Sequence, residues 1–354
     1  MQPMTHGKLI VRNHPEQHYR TLFHQSSGFF VRMEDKGYPE PLWSADGPEV
    51  IDLSITSFCQ RTCPFCYRRA KSTTCRYLGI EDIAYVVEQA KPCGTMQIAL
   101  GGGNPNEHPQ FVEIVKLIRE NGIIPSYTSN GDGLNNNVLK ATADYCGAMA
   151  ISIYAPYDVG YYEGILRRIN DYGIKVNIHA IIRNDTLEMW SDWLLNPPIF
   201  IKYVNAVVFL NYKPIGNCGE SLMPVDIRKV EKFFKSVGIC KCVKVGFDSC
   251  SISGIVKWMN IPEILVESCE AARFSCFIDE DLKMYPCSFM LEKDWYGNLK
   301  KQSMIDIWQN NPHFHKFRES VLPFRCQGCM YSTICKGGCR FIEQINFCKM
   351  TSIL

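Results

Sequence analysis

The sequence predicts an α/β fold in which a β/α repeat builds a parallel sheet, either open and doubly wound or a partial barrel, with a small cysteine-rich module behind it. Two observations carry that prediction. Short apolar β-like runs alternate with helical patterns from residue 50 to about 240, and the alternation then gives way to short strand-like pieces among closely spaced cysteines. With 354 residues, 46% of them apolar, the chain can fill a substantial core in one large domain or two ordinary ones.

The first element is "VIDLSIT" (50–56), which alternates apolar and polar residues as a short strand does and delivers the loop "TSFCQRTCPFCYRR" (56–69) at its C-terminal end. Five further β-like runs follow at 95–100, 123–129, 148–154, 175–182 and 204–210. Between them lie "IEDIAYVVEQA", "PQFVEIVKLIREN", "NNNVLKATADYC", "VGYYEGILRRINDYG" and "TLEMWSDWLL", with apolar residues near helical spacing, and "VDIRKVEKFFKSVG" (225–238) adds a sixth helix. In either version of the fold, chemistry belongs at the C-terminal ends of the strands, where the first cysteine loop sits. The expected organisation is an N-terminal extension over 1–49 of irregular or hairpin structure, the repeat over 50–240, and the cysteine-rich module over 241–354.

Composition excludes some classes of function. Lys plus Arg (38) nearly balances Asp plus Glu (36), so no global field points to nucleic acid or to a membrane surface. The N-terminus has no signal-peptide core, and no window reaches the apolar length of a membrane-spanning helix, so a cytoplasmic location is expected. A reducing compartment does not sustain disulfides, which makes the 18 cysteines candidates for metal binding.

Cys59, Cys63 and Cys66 form a CxxxCxxC cluster with no fourth Cys or His nearby until Cys75. Structural zinc prefers paired CxxC knuckles and a closed tetrahedron. A four-iron four-sulfur cluster on three thiolates keeps one iron open instead. A zinc knuckle or a redox-active thiol set is the alternative. Farther on, Cys269, Cys276 and Cys287 precede Cys326, Cys329, Cys335, Cys339 and Cys348, the last five spaced C-x2-C-x5-C-x3-C-x8-C. Eight thiols suffice for two complete four-Cys clusters, two zinc sites, or one of each.

The first loop, with Phe65 just before its third cysteine, resembles the signature of radical S-adenosylmethionine (SAM) enzymes. The resemblance implies a partial (β/α)6 barrel of the TIM type, a cluster whose open iron is chelated by SAM, and homolytic cleavage of SAM to a 5′-deoxyadenosyl radical that takes hydrogen from substrate. "GGGNPN" stands where the family carries a Gly-Gly-Glu-Pro motif for the SAM amino group; Gly102, Gly103 and Pro105 match, and Asn104 replaces the acid. An amide carbonyl can accept from an ammonium without charge assistance, so an Asn104→Glu chain would be expected to bind SAM more tightly, unless Glu107 supplies the charge. "TSNG" (128–131) and Ser152 fall at further SAM-contact positions, Ser152 reading equally as an ordinary strand serine. Arg183 reads either as a bidentate partner of the SAM carboxylate or as a solvated loop arginine.

The C-terminal stretch, with "YPCSF", "GNL…SMIDIW" and "GGC", resembles the SPASM extension of the same enzymes. That likeness implies two auxiliary clusters with interleaved ligands, Cys269, Cys276, Cys287 and Cys339 for one and Cys326, Cys329, Cys335 and Cys348 for the other, making three [4Fe-4S] clusters in all. Cys250 in "FDSC" is a competitor for the Cys269 or Cys276 position. Cys218, past the sixth strand, reads as a radical-relay thiol or as a buried free cysteine.

Most SPASM enzymes modify peptides, and a minority oxidise small molecules. The readings, in order, are a maturase acting on a peptide or protein side chain, an oxidase or epimerase of a small metabolite, and a non-catalytic iron–sulfur or zinc protein. Ser288 stands where sulfatase-maturing relatives place an Asp that acts as base, which argues against that activity. The 49 residues before the first strand show no helix–turn–helix pattern, so a peptide substrate would imply a separate leader-binding protein or no leader. A reductase or flavodoxin-type electron donor completes the expected partners; nucleic acid and membrane are not among them.

Overall fold

The computed structural model describes residues 9–25, 28–154, 158–319 and 322–349. The chain opens with an antiparallel meander of β1 (Leu9–His14), β2 (Tyr19–His24) and β3 (Phe29–Glu34), one strand more than a hairpin. The repeat follows as β4 (Val50–Thr56), α1 (Ile80–Ala90), β5 (Gln97–Gly102), α2 (Phe111–Glu120), β6 (Ile124–Ser129), α3 (Asn136–Tyr145), β7 (Ala148–Ser152), α4 (Val159–Asp171), β8 (Val176–Ile182), α5 (Leu187–Trp193), β9 (Ala206–Asn211) and α6 (Ile227–Ile239).

Strands β4 to β9 pair in parallel and in sequence order. A doubly wound sheet reverses its order at a switch point. This one never does, so it is a partial barrel. Alternation sets its two faces: in β8, Val176, Ile178, Ala180 and Ile182 are buried, whereas Asn177, His179 and Ile181 are half-buried on the opposite face. Thr128 of β6 reaches His179 of β8 across β7, Oγ1 to Nδ1 at 3.2 Å, so the polar face is the concave one.

The helices cover the convex face with apolar stripes at three- and four-residue spacing, such as Phe111, Ile114, Val115 and Ile118 of α2. Side-chain caps start several of them: Asn135 accepts from the Val138 N–H at α3, and Asp226 from the Arg228 N–H at α6, each worth about 1 kcal/mol. Ile51, Leu53 and Ile55 of β4 are fully buried beneath this layer, each contributing roughly 2 kcal/mol.

The alternation does not stop at residue 240. β10 (Lys244–Phe247) adds one more parallel strand beside β9, and α7 (Ile252–Trp258) follows it. At the other edge β11 (Ser275–Ile278) pairs in parallel with β4, and β12 (Lys283–Tyr285) and β13 (Gly297–Asn298) extend the sheet in antiparallel fashion. The cysteine-rich module therefore shares the barrel's sheet.

Candidate iron–sulfur and SAM site

The cysteine loop leaves β4 at the barrel mouth and is tied back on itself. Cys59 N–H donates to Lys71 O at 3.2 Å, Lys71 N–H to Ser57 O at 3.1 Å, and Cys66 N–H to Cys63 O at 3.2 Å. Two other loops clamp it. After β5, Gly103 N–H donates to Thr56 O at 2.6 Å and Asn104 N–H to Phe58 O at 2.8 Å. A Cβ on Gly102 (φ +108°) or Gly103 would overlap those same carbonyls, so the approach requires glycine at both positions. After β9, Asn217 N–H donates to Cys66 O at 3.0 Å, and the Cys218 thiol to Phe65 O at 2.8 Å.

The three thiols so held are close electrostatic neighbours. Burial, then Cys66 and Cys59, push the Cys63 thiol up to about 11. Asn130 Nδ2 donates to Cys59 Sγ at 3.5 Å, one of few compensations on offer. Thiols raised in this way ionise only beside cationic partners, such as bound metal. Among the described residues no three His, Cys, Asp or Glu side chains form a group that could hold a single metal ion.

Asn104 is 1% exposed and spends its whole amide internally. Its Oδ1 accepts from Asn130 N–H (3.2 Å) and Ser129 Oγ (3.3 Å), while Nδ2 donates to Glu107 Oε2 (2.8 Å) and Asp132 O (3.1 Å). The expected role of its carbonyl as an ammonium acceptor has no room in this geometry. Pro105, also buried, starts the short turn that brings Glu107 back to this amide, and Glu107 is near enough to raise the Cys59 thiol.

Phe65 is buried and tilted against Tyr154, ring centres 5.2 Å apart, with the Arg183 guanidinium stacked over it at 4.3 Å. Arg183 is not solvated: it is 4% exposed, and Asp185 takes it through two bonds of 2.8 and 2.7 Å. Ser152, at the end of β7, lies within hydrogen-bonding reach of the Tyr154 phenol. Cys218 is half-buried with its thiol spent on Phe65 O, and Cys66 is among its neighbours.

The expected first auxiliary set is not the set that the fold brings together. Cys250, Cys269, Cys287 and Cys339 line one cavity of about 380 Å³, which Cys335 also borders. Their thiols act on one another: Cys269 and Cys339 raise Cys287, and Cys269 and Cys287 raise Cys250. Cys276 is absent from that cavity. It is 2% exposed on β11, in register with Ile51, with Asp52 and Cys93 as neighbours. Strand alternation is the cause, because Cys276 and Ile278 both pack into the hydrophobic core while Phe277 points the other way. In the second group, Cys348 and Cys326 raise the Cys335 thiol, and Cys329 follows Cys326 through a turn closed by Cys329 N–H to Cys326 O at 3.2 Å.

Sequence reasoning missed the charged pairs around the mouth. Arg68 binds Glu280 (2.7 Å), which also accepts from Ser54 Oγ (2.5 Å); Arg61 holds Asp132 through two bonds; and Lys213 pairs with Asp248. Each joins segments far apart in sequence, and nothing local in "YKPIG" or "CYRRA" signals a buried cation.

Three thiols at the mouth of a partial β/α barrel, with two further thiol groups against the same sheet, define a β/α-barrel protein built around candidate metal-binding thiol groups. Matches to two families agree with that: "Radical SAM superfamily" covers residues 53–193, and SPASM, "Iron-sulfur cluster-binding domain", covers residues 269–330. The chain belongs to the radical SAM superfamily and carries a SPASM domain, and with these come [4Fe-4S] clusters and SAM. It is 20% identical over 317 residues to mycofactocin maturase MftC of Mycobacterium ulcerans, covering 83% of each chain. It is 22% identical over 326 residues to the AdoMet-dependent heme synthase of Methanosarcina barkeri, covering 83% of this chain and 92% of that one. In fold it is similar to Streptococcus suis SuiB bound to precursor peptide SuiA, with a TM-score of 0.69 at 17% identity, covering 83% of this chain and 72% of that chain. Among the described residues no helix is long and apolar enough to cross a membrane.

Proposed function

We propose that this chain is a radical SAM/SPASM maturase that abstracts hydrogen from a side chain of a peptide or protein. The observation that carries the chemistry is the loop that gathers Cys59, Cys63 and Cys66 without a fourth thiol. A four-iron cluster with SAM bound there would supply reductive cleavage of the sulfonium bond and, through it, removal of a substrate hydrogen. Peptide as the substrate class is supported by the similarity to MftC, named as a maturase, and to SuiB, solved with its precursor peptide.

The chain's own residues divide the remaining work. Gly102 and Gly103 let the backbone after β5 close on the cysteine loop, and Asn130 steadies Cys59. Glu107 is the carboxylate we assign to the SAM ammonium, with Asn104 as the strut that orients it through the 2.8 Å bond. Phe65 and Ser152 are further residues we assign to SAM, with Arg183 held over Phe65 by Asp185. Cys218 holds the third-cysteine turn through Phe65 O and is placed as a support of the loop.

For the auxiliary centres we assign Cys250, Cys269, Cys287 and Cys339 to one and Cys326, Cys329, Cys335 and Cys348 to the other, giving three clusters with full protein ligation in the last two. Full ligation leaves no iron open to substrate, which favours an electron conduit. Replacing Cys335 should then leave SAM cleavage intact and abolish product. The proposed organisation keeps 1–49 as the N-terminal segment and extends the barrel through β10, with a cytoplasmic setting, a flavodoxin-type donor and a separate leader-binding protein as partners.

Similarity to the AdoMet-dependent heme synthase supports a second reading, oxidation of a small metabolite. One experiment separates the two. The anaerobic reconstituted enzyme, SAM and a reductant are combined with host extract fractionated by size, and 5′-deoxyadenosine is recorded. Stimulation by a larger, protease-sensitive fraction is the expected result; stimulation by a small, protease-resistant one would remove the peptide reading.

A further inference from the structure

We propose that Lys213 sets the reduction potential of the auxiliary centre at Cys250, Cys269, Cys287 and Cys339, its buried ammonium favouring the reduced state. The inference rests on the ligand assignment proposed above. Lys213 lies two residues past β9 and is 6% exposed. Its ammonium pairs with Asp248 and stands 4.5 Å over the Phe289 ring. Asp248 is two residues before Cys250 and Phe289 two residues after Cys287, so two thiol-bearing segments close on the cation from different sides. Asn211 fastens the same corner, donating from Nδ2 to Cys250 O at 2.9 Å and to Ile345 O at 3.0 Å.

Asp248 divides its two oxygens: Oδ2 takes Lys213, and Oδ1 accepts from Asn211 N–H (3.1 Å) and Ser251 Oγ (2.8 Å), so the position of the pair beside the thiols is fixed. Cys250 and Cys287 are both among the neighbours of the Lys213 ammonium. One-electron reduction makes a thiolate-ligated cluster more negative by one charge. A cation held beside two of its ligands in a poorly screened interior stabilises that state and raises the potential. A centre poised this way is a better acceptor for the single electron that a substrate radical sheds on oxidation. A purely structural strut would fasten the corner equally well and leave the potential alone.

The test is an anaerobic redox titration, followed by electron paramagnetic resonance, of the full-length chain carrying Cys59→Ala, Cys63→Ala and Cys66→Ala, so that only auxiliary iron remains. In that background Lys213→Met should lower the equilibrium constant for reducing one of the two centres at least tenfold, about 59 mV more negative for one electron, with iron per chain unchanged. Lys213→Arg should restore the midpoint. Asp248→Asn should move it the opposite way, and it carries the test if the Met variant fails to retain iron. Unchanged midpoints at full iron content would overturn the inference and leave the ligand assignment standing. Retention of both auxiliary signals after Cys250→Ala would overturn the assignment and the inference with it.

Discussion

Gly103 lies against the carbonyl of Phe58 so closely that a Cβ at residue 103 would occupy the space of the oxygen. The first cysteine loop is thus positioned by backbone contact between two segments, and side-chain volume at residue 103 is excluded. Gly103→Ala should force the strand-end loop off the cysteine loop, at a cost of about 1–3 kcal/mol. The expected reading is loss of the first centre's iron with the auxiliary iron retained, by iron analysis per chain. Retention of all iron in a folded variant would show that the contact does not hold the loop.

The ligand assignment proposed here exchanges the expected roles of Cys250 and Cys276. Cys250→Ala should lose the iron of one auxiliary centre. Cys276→Ala should keep all iron and lower stability by about 1–2 kcal/mol, because it removes only a buried sulfur from the core. Iron content and thermal unfolding of the two variants side by side decide this, and iron loss confined to Cys276→Ala would restore the original set.

The contrast shows what a sequence can carry. The β/α periods from "VIDLSIT" to "VNAVVFL" fall within a few residues of β4 to β9, because apolar alternation is a local property that packing then uses. CxxxCxxC is local too, and its loop forms a group. Which distant thiol joins Cys269, Cys287 and Cys339 is decided by tertiary placement: by the parity of β11, which turns Cys276 into the core, and by β10, which carries the chain to Cys250. The β10 strand was missed because four residues give too short a pattern to read. Lys213–Asp248 and Arg68–Glu280 are not legible in the sequence for a different reason, each pair spanning 35 or more residues.

The Asn104 amide has no capacity left for a ligand, and Glu107 is its partner. Glu107→Gln should weaken SAM binding about tenfold, the loss of roughly 1.4 kcal/mol of charge assistance. Asn104→Glu should not tighten binding, since it sets a second carboxylate against Glu107. Dissociation constants by calorimetry on the anaerobic holoenzyme would show both, and tighter binding by Asn104→Glu would return the ammonium to residue 104.

His108 is buried as a neutral ring, Nε2 donating to Leu78 O at 3.0 Å while Nδ1 accepts from Gln110 N–H at 3.0 Å. Burial, first among the causes, holds it below its usual 6.5. The unfolded chain therefore binds the proton at higher pH than the folded chain does, so its contribution is complete above about 6.5 and falls as pH drops below it. Between pH 7.5 and 5.5 the melting temperature of wild type should fall further than that of His108→Asn. Equal falls would place the acid sensitivity elsewhere.

The central claim is that Cys59, Cys63 and Cys66 hold the centre at which SAM is cleaved. The most direct measurement is 5′-deoxyadenosine formed by anaerobic, reconstituted wild type and Cys63→Ala under a strong reductant. The account predicts product from wild type and loss of that product, with the auxiliary iron retained, in the variant. No product from iron-replete wild type, or undiminished product from Cys63→Ala, would contradict it.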